Sequence, residues 1–399
     1  MLKNTIIHGA RALLSLALAA CLFIPGTALA ETEESVYTQE MIDRSLTAVG
    51  NTQRLHRAID KARNGEPVRM VYLGGSITEG ASAKPQQPRC YAYLSAQMFA
   101  EKFMPDTKQL LYYNAGISGT PSLLGITRLE QDVLSRQPDI VFVEFAVNDS
   151  NDVGSRGVYE SLVRRLLNSE TQPAVILIFT LLDSGYSCQP HMQQIGKHYD
   201  LGMISVKDAI RPQIDLGKMK WSDYSADYAH PNTEGHAFVA ELIGNYFDKA
   251  AATEPTPWVM PEDVVYSKAL ENLHNVRSGD ACIISEGSFP FGPVSCYSYK
   301  QGWRHLAARG GNDPLTVELT CSQLTIAFKQ ENNKFCGKAE VVGDGVVKKT
   351  LSGNAANAWG NVVTERIDLG ESAPHTIQLR MAEGDEDKNF NLLDIGYAP

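Results

Sequence analysis

Between residues 66 and 250, near-continuous apolar runs at 68–73, 110–113, 139–147, 174–181 and 202–206 alternate with stretches of helical character at 91–103, 122–135, 158–168, 192–199 and 233–250. A strand that is apolar at every position is buried on both faces. The alternation therefore predicts a parallel sheet covered by helices on both sides, a three-layer α/β/α sandwich. In open sheets of this kind ligands bind beyond the carboxyl ends of the strands, so the residues just after each strand are the first place to look for chemistry. Upstream, residues 31–65 are polar with scattered apolar positions and read as a helical lead-in ending at Asn64-Gly65-Glu66-Pro67.

The pattern changes after residue 250. Residues 251–262 carry Thr-Glu-Pro-Thr-Pro-Trp and break the helical periodicity as a linker does. Beyond them Leu315, Val317 and Leu319 alternate with polar residues, as do Leu324, Ile326 and Phe328, and Ile377, Leu379 and Met381. Period-two alternation with a turn at Gly343-Asp344-Gly345 predicts an antiparallel, jelly-roll-like β-sandwich over 263–399. Two domains suit a chain of 399 residues.

Composition narrows the setting. At 43% hydrophobic and 21% charged residues the chain has the make-up of a folded globular protein. Residues 1–30 stand apart: Lys3 and Arg11 precede an apolar run over 12–24, and Pro25-Gly26 leads to Ala28-Leu29-Ala30. This reads as a signal peptide cleaved after Ala30, leaving a secreted or periplasmic protein. The competing reading makes Leu18-Ala19-Ala20-Cys21 a lipoprotein box with Cys21 as the lipidated terminus, but the apolar run continues straight through Cys21. No other segment approaches the ~20 apolar residues of a membrane span. Loss of Lys3 and Arg11 with the leader takes the formal net charge from -10 to -12, which disfavours nucleic acid as a partner. Cys90, Cys188, Cys282, Cys296, Cys321 and Cys336 then form an even set in an exported protein, and disulfides are expected; no CxxC spacing suggests a metal or redox site.

Candidate chemistry follows the strands. Gly74-Gly75-Ser76-Ile77-Thr78 comes directly after the first run, which places Ser76 on a sharp turn at the carboxyl edge of the sheet. A serine hydroxyl is a poor nucleophile without a base. Asp227-Tyr228-Ala229-His230-Pro231-Asn232, before the closing helix, offers an imidazole with a carboxylate three residues away to orient it. Asn114-Ala115-Gly116-Ile117-Ser118-Gly119 supplies backbone amides after the second run, and the third leads to the Asn148 amide; both suit a developing oxyanion. Each segment alone also fits an ordinary turn.

Together, in this order, they resemble the blocks of the SGNH hydrolase superfamily, the GDSL-like esterases, over about residues 66–250. Ser76 matches the block I serine, Gly119 the block II glycine, Asn148 the block III asparagine, and Asp227 with His230 the Asp-x-x-His of block V. Gly116 competes for the block II position, which motif position assigns to Gly119. Two residues depart from the pattern: Gly75 stands where the family has Asp, and Ala146 where block III has Gly. The resemblance implies a flavodoxin-like sheet and ester hydrolysis through a Ser76–His230–Asp227 triad, with Ser76, Gly119 and Asn148 forming the oxyanion hole and no metal or organic cofactor. Export, the attached β-domain and a resembled superfamily rich in carbohydrate esterases together imply acetyl esters of a polysaccharide or oligosaccharide. Trp303 and Trp359 are candidates for stacking on sugar rings or for the β-domain core. Transfer of the acyl group to a glycan and glycan binding without catalysis remain open, while the lack of an extended apolar lid disfavours a lipase.

Overall fold

The computed structural model describes residues 35–399. The leader expected over residues 1–30, with Cys21 in it, lies outside the described residues. The lead-in contributes helices α1 (Gln39–Ser45) and α2 (Gln53–Arg63), with a short strand β1 (Leu46–Ala48) between them. In α2, Leu55, Ala58, Ile59 and Ala62 repeat at helical spacing and are the residues it buries.

Strands β2 (Val68–Gly74), β3 (Leu110–Gly116), β4 (Ile140–Glu144), β5 (Ala174–Phe179) and β6 (Gly202–Ser205) form one parallel sheet, closed at its far edge by β1 running antiparallel to β6. The order is β1-β6-β5-β4-β2-β3. The chain therefore begins its parallel sheet in β2, adds β3 on one side, and then builds outward on the other through β4. Connections leaving β2 and β4 diverge to opposite faces, and a crevice opens between their carboxyl ends.

The intervening helices are α3 (Ser76–Glu79), a kinked α4 (Gln86–Arg89), α5 (Tyr91–Phe103), α6 (Ser122–Thr127), α7 (Leu129–Asp132), α8 (Val153–Leu167), α9 (Gln189–His198), α10 (Val206–Asp215), α11 (Trp221–Tyr224) and α12 (Thr233–Ala251). Met70, Tyr72, Phe142 and Ile176 bury one sheet face against α2, α5 and α12, while Val71, Leu73, Val141 and Leu177 bury the other against α6, α8 and α9. The helix expected over 122–135 is interrupted at Arg128 and Val133, whose backbone angles leave the helical region. At the break the fully buried Arg128 guanidinium donates to Gly74 O at 3.3 Å and Ala115 O at 2.6 Å, tying the ends of β2 and β3 together.

After α12 the chain runs without helix or strand along the α8 face. There Glu160, fully buried, accepts the backbone N–H groups of Val265, Tyr266 and Ser267 at 2.6–2.8 Å and the Tyr199 hydroxyl at 2.7 Å.

The rest is all β: β7 (His274–Asn275), β8 (Ile283–Ser285), β9 (Phe291–Cys296), β10 (Tyr299–His305), β11 (Leu315–Glu331), β12 (Lys338–Gly343), β13 (Val346–Ser352), β14 (Trp359–Met381) and β15 (Phe390–Ala398). Two long strands organise it. The first half of β11 pairs with β8 and with the end of β14, and its second half pairs with β15 and with the start of β14, across a register shift between Cys321 and Gln323. A bulge in a long strand bends it, and β11 and β14 run through one antiparallel sheet of order β13-β12-β14-β11-β15-β10-β9 whose core contains Trp303, Val317, Ile326, Phe328, Ile377 and Leu392.

The expected disulfides are not formed. Cys90, Cys188, Cys282, Cys296, Cys321 and Cys336 are all free, and all but the half-buried Cys282 are buried. They are dispersed: Cys90 and Cys188 lie on opposite faces of the parallel sheet, and Cys296 and Cys321 in separate clusters of the β-domain. Each packs as a small apolar side chain.

Candidate active site

The parallel sheet delivers Ser76 from the end of β2, the Gly119 loop from β3 and the Asn148 turn from β4 to the crevice expected from the strand order. Ser76 opens α3, where its carbonyl accepts the N–H groups of Gly80 and Ala81 at 3.1 and 3.0 Å. Below it, Thr78 hydrogen-bonds the Tyr91 hydroxyl at 2.8 Å and donates to the buried Glu144 carboxyl at 3.3 Å.

His230 arrives from the segment before α12. Asn232 caps that helix by accepting Gly235 N–H at 2.7 Å, and its amide donates to Ser222 O and Asp223 O. Ala226 N–H and the Ser225 hydroxyl both donate to His230 O, at 2.9 and 2.6 Å, which fixes the loop's turn. The imidazole consequently faces the nucleophile loop. His230 Nε2 lies 2.8 Å from Ser76 Oγ, and His230 Nδ1 lies 2.8 Å from Asp227 Oδ2. The other Asp227 oxygen accepts the N–H groups of Ala229 and His230 at 2.7 and 2.8 Å. Burial pushes the Asp227 carboxyl upward, but these hydrogen bonds from the His230 ring and the two backbone amides outweigh it and hold the group below the ordinary carboxylate range.

Asn148 lies beside the serine loop, with Asn148 N–H bonded to Phe145 O at 3.0 Å. Its Oδ1 is buried without a hydrogen-bond partner and faces Gly75, where a Cβ would come within 2.2 Å of it. The space that a side chain at position 75 would need is thus filled by the Asn148 amide. Gly119 has φ +70°, a left-handed conformation natural to glycine. Ser76, His230 and Asp227 are joined by hydrogen bonds, the Asn148 amide lies against Gly75 beside them, and Gly119 sits in the loop that follows the neighbouring strand β3.

Three supports had no separate signal in the sequence. Glu79, on α3, accepts Ser118 N–H at 2.9 Å and also the Ser118 hydroxyl, which fastens the residue next to Gly119. Asp149 accepts Ser122 N–H at 2.7 Å, linking the Asn148 turn to the far end of the Gly119 loop. Glu144 accepts the Thr180 hydroxyl at 2.6 Å. Burial raises both Glu144 and Asp149 to about 7, against the smaller lowering effect of their hydrogen bonds.

A further neighbour comes from the β-domain. A Cβ on Gly119 would lie 3.1 Å from two atoms of the Trp359 indole, which is 63% exposed and donates from Nε1 to the Tyr297 hydroxyl at 3.1 Å. Trp303, by contrast, is a core residue at 2% exposure.

Residues 72–238 match the GDSL-like lipase/acylhydrolase family. A comparison with curated protein sequences returned no match. Among solved structures the chain is similar to a two-domain esterase active on acetylated mannans, in a co-crystal with mannopentaose: 27% identity, 90% of this chain and 97% of that chain, TM-score 0.79. A second crystal structure of a two-domain esterase active on acetylated mannans gives the same identity and TM-score over 98% of its length. An acetyl xylan esterase matches 44% of this chain at 21% identity and a TM-score of 0.37. Residues 72–238 thus form a parallel-sheet α/β hydrolase domain that matches the GDSL-like lipase/acylhydrolase family, and a C-terminal antiparallel β-domain follows it.

Proposed function

We propose that the protein is an exported serine esterase that removes acetyl groups from a polysaccharide through a covalent acyl-enzyme. The observation that carries this reading is the continuous chain from Ser76 Oγ through both His230 nitrogens to Asp227, each link at 2.8 Å. His230 takes the Ser76 proton as Oγ attacks the ester carbonyl, and Asp227 holds the ring and stabilises the imidazolium. The N–H groups of Ser76 and Gly119 and the Asn148 amide receive the oxyanion. His230 then protonates the departing sugar hydroxyl, activates a water to attack the acyl-enzyme, and acetate leaves.

Carbohydrate as the alcohol is supported by the similarity, over 90% of the chain, to an esterase active on acetylated mannans. Trp359 supports it independently, since a large exposed aromatic face beside the oxyanion loop suits the apolar face of a sugar ring. Export through the leader over residues 1–30, with cleavage after Ala30, would bring the enzyme to such a polymer.

The test is acetate release from acetylated mannan and from 4-nitrophenyl acetate by the wild type, Ser76→Ala and His230→Ala. Release from both substrates, abolished by either substitution, is the expected result. Unchanged release by the variants would overturn the triad; hydrolysis of 4-nitrophenyl acetate with none of any acetylated glycan would overturn the carbohydrate assignment.

A further inference from the structure

Beside the catalytic crevice, a cavity of about 390 Å³ lies along the outer edge of β3, between the catalytic sheet and the β-domain loop at Tyr297 and Ser298. We propose that this cavity is a subsite for the main chain of the polysaccharide, holding sugar residues beyond the one that is deacetylated. This rests on the carbohydrate reading of the site.

The cavity neighbours the site in two ways. Ile117, one of its walls, is two residues from Gly119. Tyr297, another wall, takes a hydrogen bond from Trp359 Nε1, and the Trp359 ring lies against Gly119. A glycan stacked on Trp359 therefore leads past Tyr297 into the cavity.

Its lining suits sugars. The exposed Arg136 guanidinium sits 5.1 Å over the Tyr113 ring and has no hydrogen-bond or ion-pair partner among the described residues, so its donors are free for hydroxyl groups. Tyr297, half-buried, presents aromatic surface, and Tyr113, also half-buried, carries the Arg136 guanidinium on its ring. β3 is the outermost strand of its sheet, so its outer side has no strand to satisfy its backbone groups. The opposite wall is built in: Ser298 Oγ donates to Asp132 at 2.9 Å, and Asp132 pairs with Arg128 at 2.9 Å, which fixes the β-domain loop against the catalytic domain. From Ile117 to Tyr113 the strand advances roughly 13 Å, room for more than one sugar ring.

The experiment measures kcat and KM on acetylated manno-oligosaccharides of increasing length and on 4-nitrophenyl acetate, for the wild type, Tyr113→Ala and Arg136→Ala. Arg136 is exposed, so its variant stays informative if Tyr113→Ala folds poorly. In the wild type kcat/KM rises with chain length. Each variant loses about tenfold on the longest substrates, through KM, and keeps wild-type rates on 4-nitrophenyl acetate. If the gain with length survives in both variants, or the wild type shows no such gain while deacetylating short oligosaccharides, the subsite is overturned and the esterase reading stands. If no acetylated oligosaccharide is hydrolysed although 4-nitrophenyl acetate is, the carbohydrate reading fails and the subsite with it.

Discussion

Gly75→Ala is the most discriminating perturbation of the site, because the side chain next to it leaves no room for a Cβ. Gly75 has φ -91°, outside the left-handed region. Its Cβ, however, would lie 2.2 Å from Asn148 Oδ1 and 2.9 Å from Asn148 Cγ, where ordinary contacts need about 3.4 Å or more. The amide must move by more than about 1 Å, a displacement of the size that costs about 10²-fold in a positioned catalytic group. Asn148 is tied at its backbone to Phe145 O, so the movement falls on its side chain. Loss of an oxyanion donor costs about 3–4 kcal/mol of transition-state stabilisation, so kcat on 4-nitrophenyl acetate should fall about 10²- to 10³-fold with little change in thermal midpoint. The decisive control is the double-mutant cycle. In an Asn148→Ala background the clash disappears, and Gly75→Ala should add almost nothing. Independent, multiplying losses would refute the argument, as would a single variant that keeps kcat within tenfold of the wild type.

The other predictions follow from the same geometry. Asp227→Asn should lower kcat about 10⁴-fold by favouring the wrong imidazole tautomer, with the fold retained by circular dichroism. Arg128→Met leaves the carbonyls of Gly74 and Ala115 without their donor and Asp132 without its ion partner, and should cost about 3–5 kcal/mol in urea unfolding. Glu144, raised from 4.5 to about 7 by burial, binds its proton more tightly in the folded state. Its contribution is most favourable at low pH, and stability should fall by roughly 3 kcal/mol as pH rises from about 4.5 to 7. Glu144→Gln should flatten that part of the profile, and by removing a nearby negative charge it should also lower the Asp149 shift somewhat. Thiol titration in denaturant without reductant should find every cysteine of residues 35–399 reactive.

The catalytic sheet was legible because its strands are apolar at every position, a pattern that only burial on both faces explains. Residues 202–206 read as one strand, yet the chain leaves β6 at Ser205, whose hydroxyl caps α10 by accepting Asp208 N–H at 2.8 Å. The buried Val206, Ala209, Ile210 and Gln213 of α10 do stand at helical spacing, but the first of them is absorbed into the strand reading and Pro212 interrupts the rest. Strand β1 is too short, among polar residues, to announce itself. The Asp227–His230 pair stands out by its three-residue spacing and Ser76 by its place after a strand, whereas Gly119 and Asn148 are singled out only by the resemblance to the family's blocks. Nothing local reveals that Trp359 meets Gly119 or that Glu79 holds Ser118, because both contacts depend on how distant segments pack. The even cysteine set misled, since parity constrains pairing only when the cysteines are brought together.

The replacement of the family's aspartate by Gly75 becomes intelligible in this light. Elsewhere in the site, positioning is done by buried carboxyls that depress stability at neutral pH: Glu144 beneath Thr78, and Asp149 between the Asn148 turn and Ser122. A third carboxylate at position 75 would add charge to this cluster and would need the space held by the Asn148 amide. The nucleophile loop is held instead by its own backbone, through the bonds to Gly75 O and Ser76 O, and by Thr78 through Tyr91 and Glu144. The loop therefore needs no side chain before the serine. Restoring the family residue as Gly75→Asp should be more damaging than Gly75→Ala, since it adds a charged group to the same clash; equal or greater activity in the aspartate variant would show that Asn148 yields and that this packing does not govern the site.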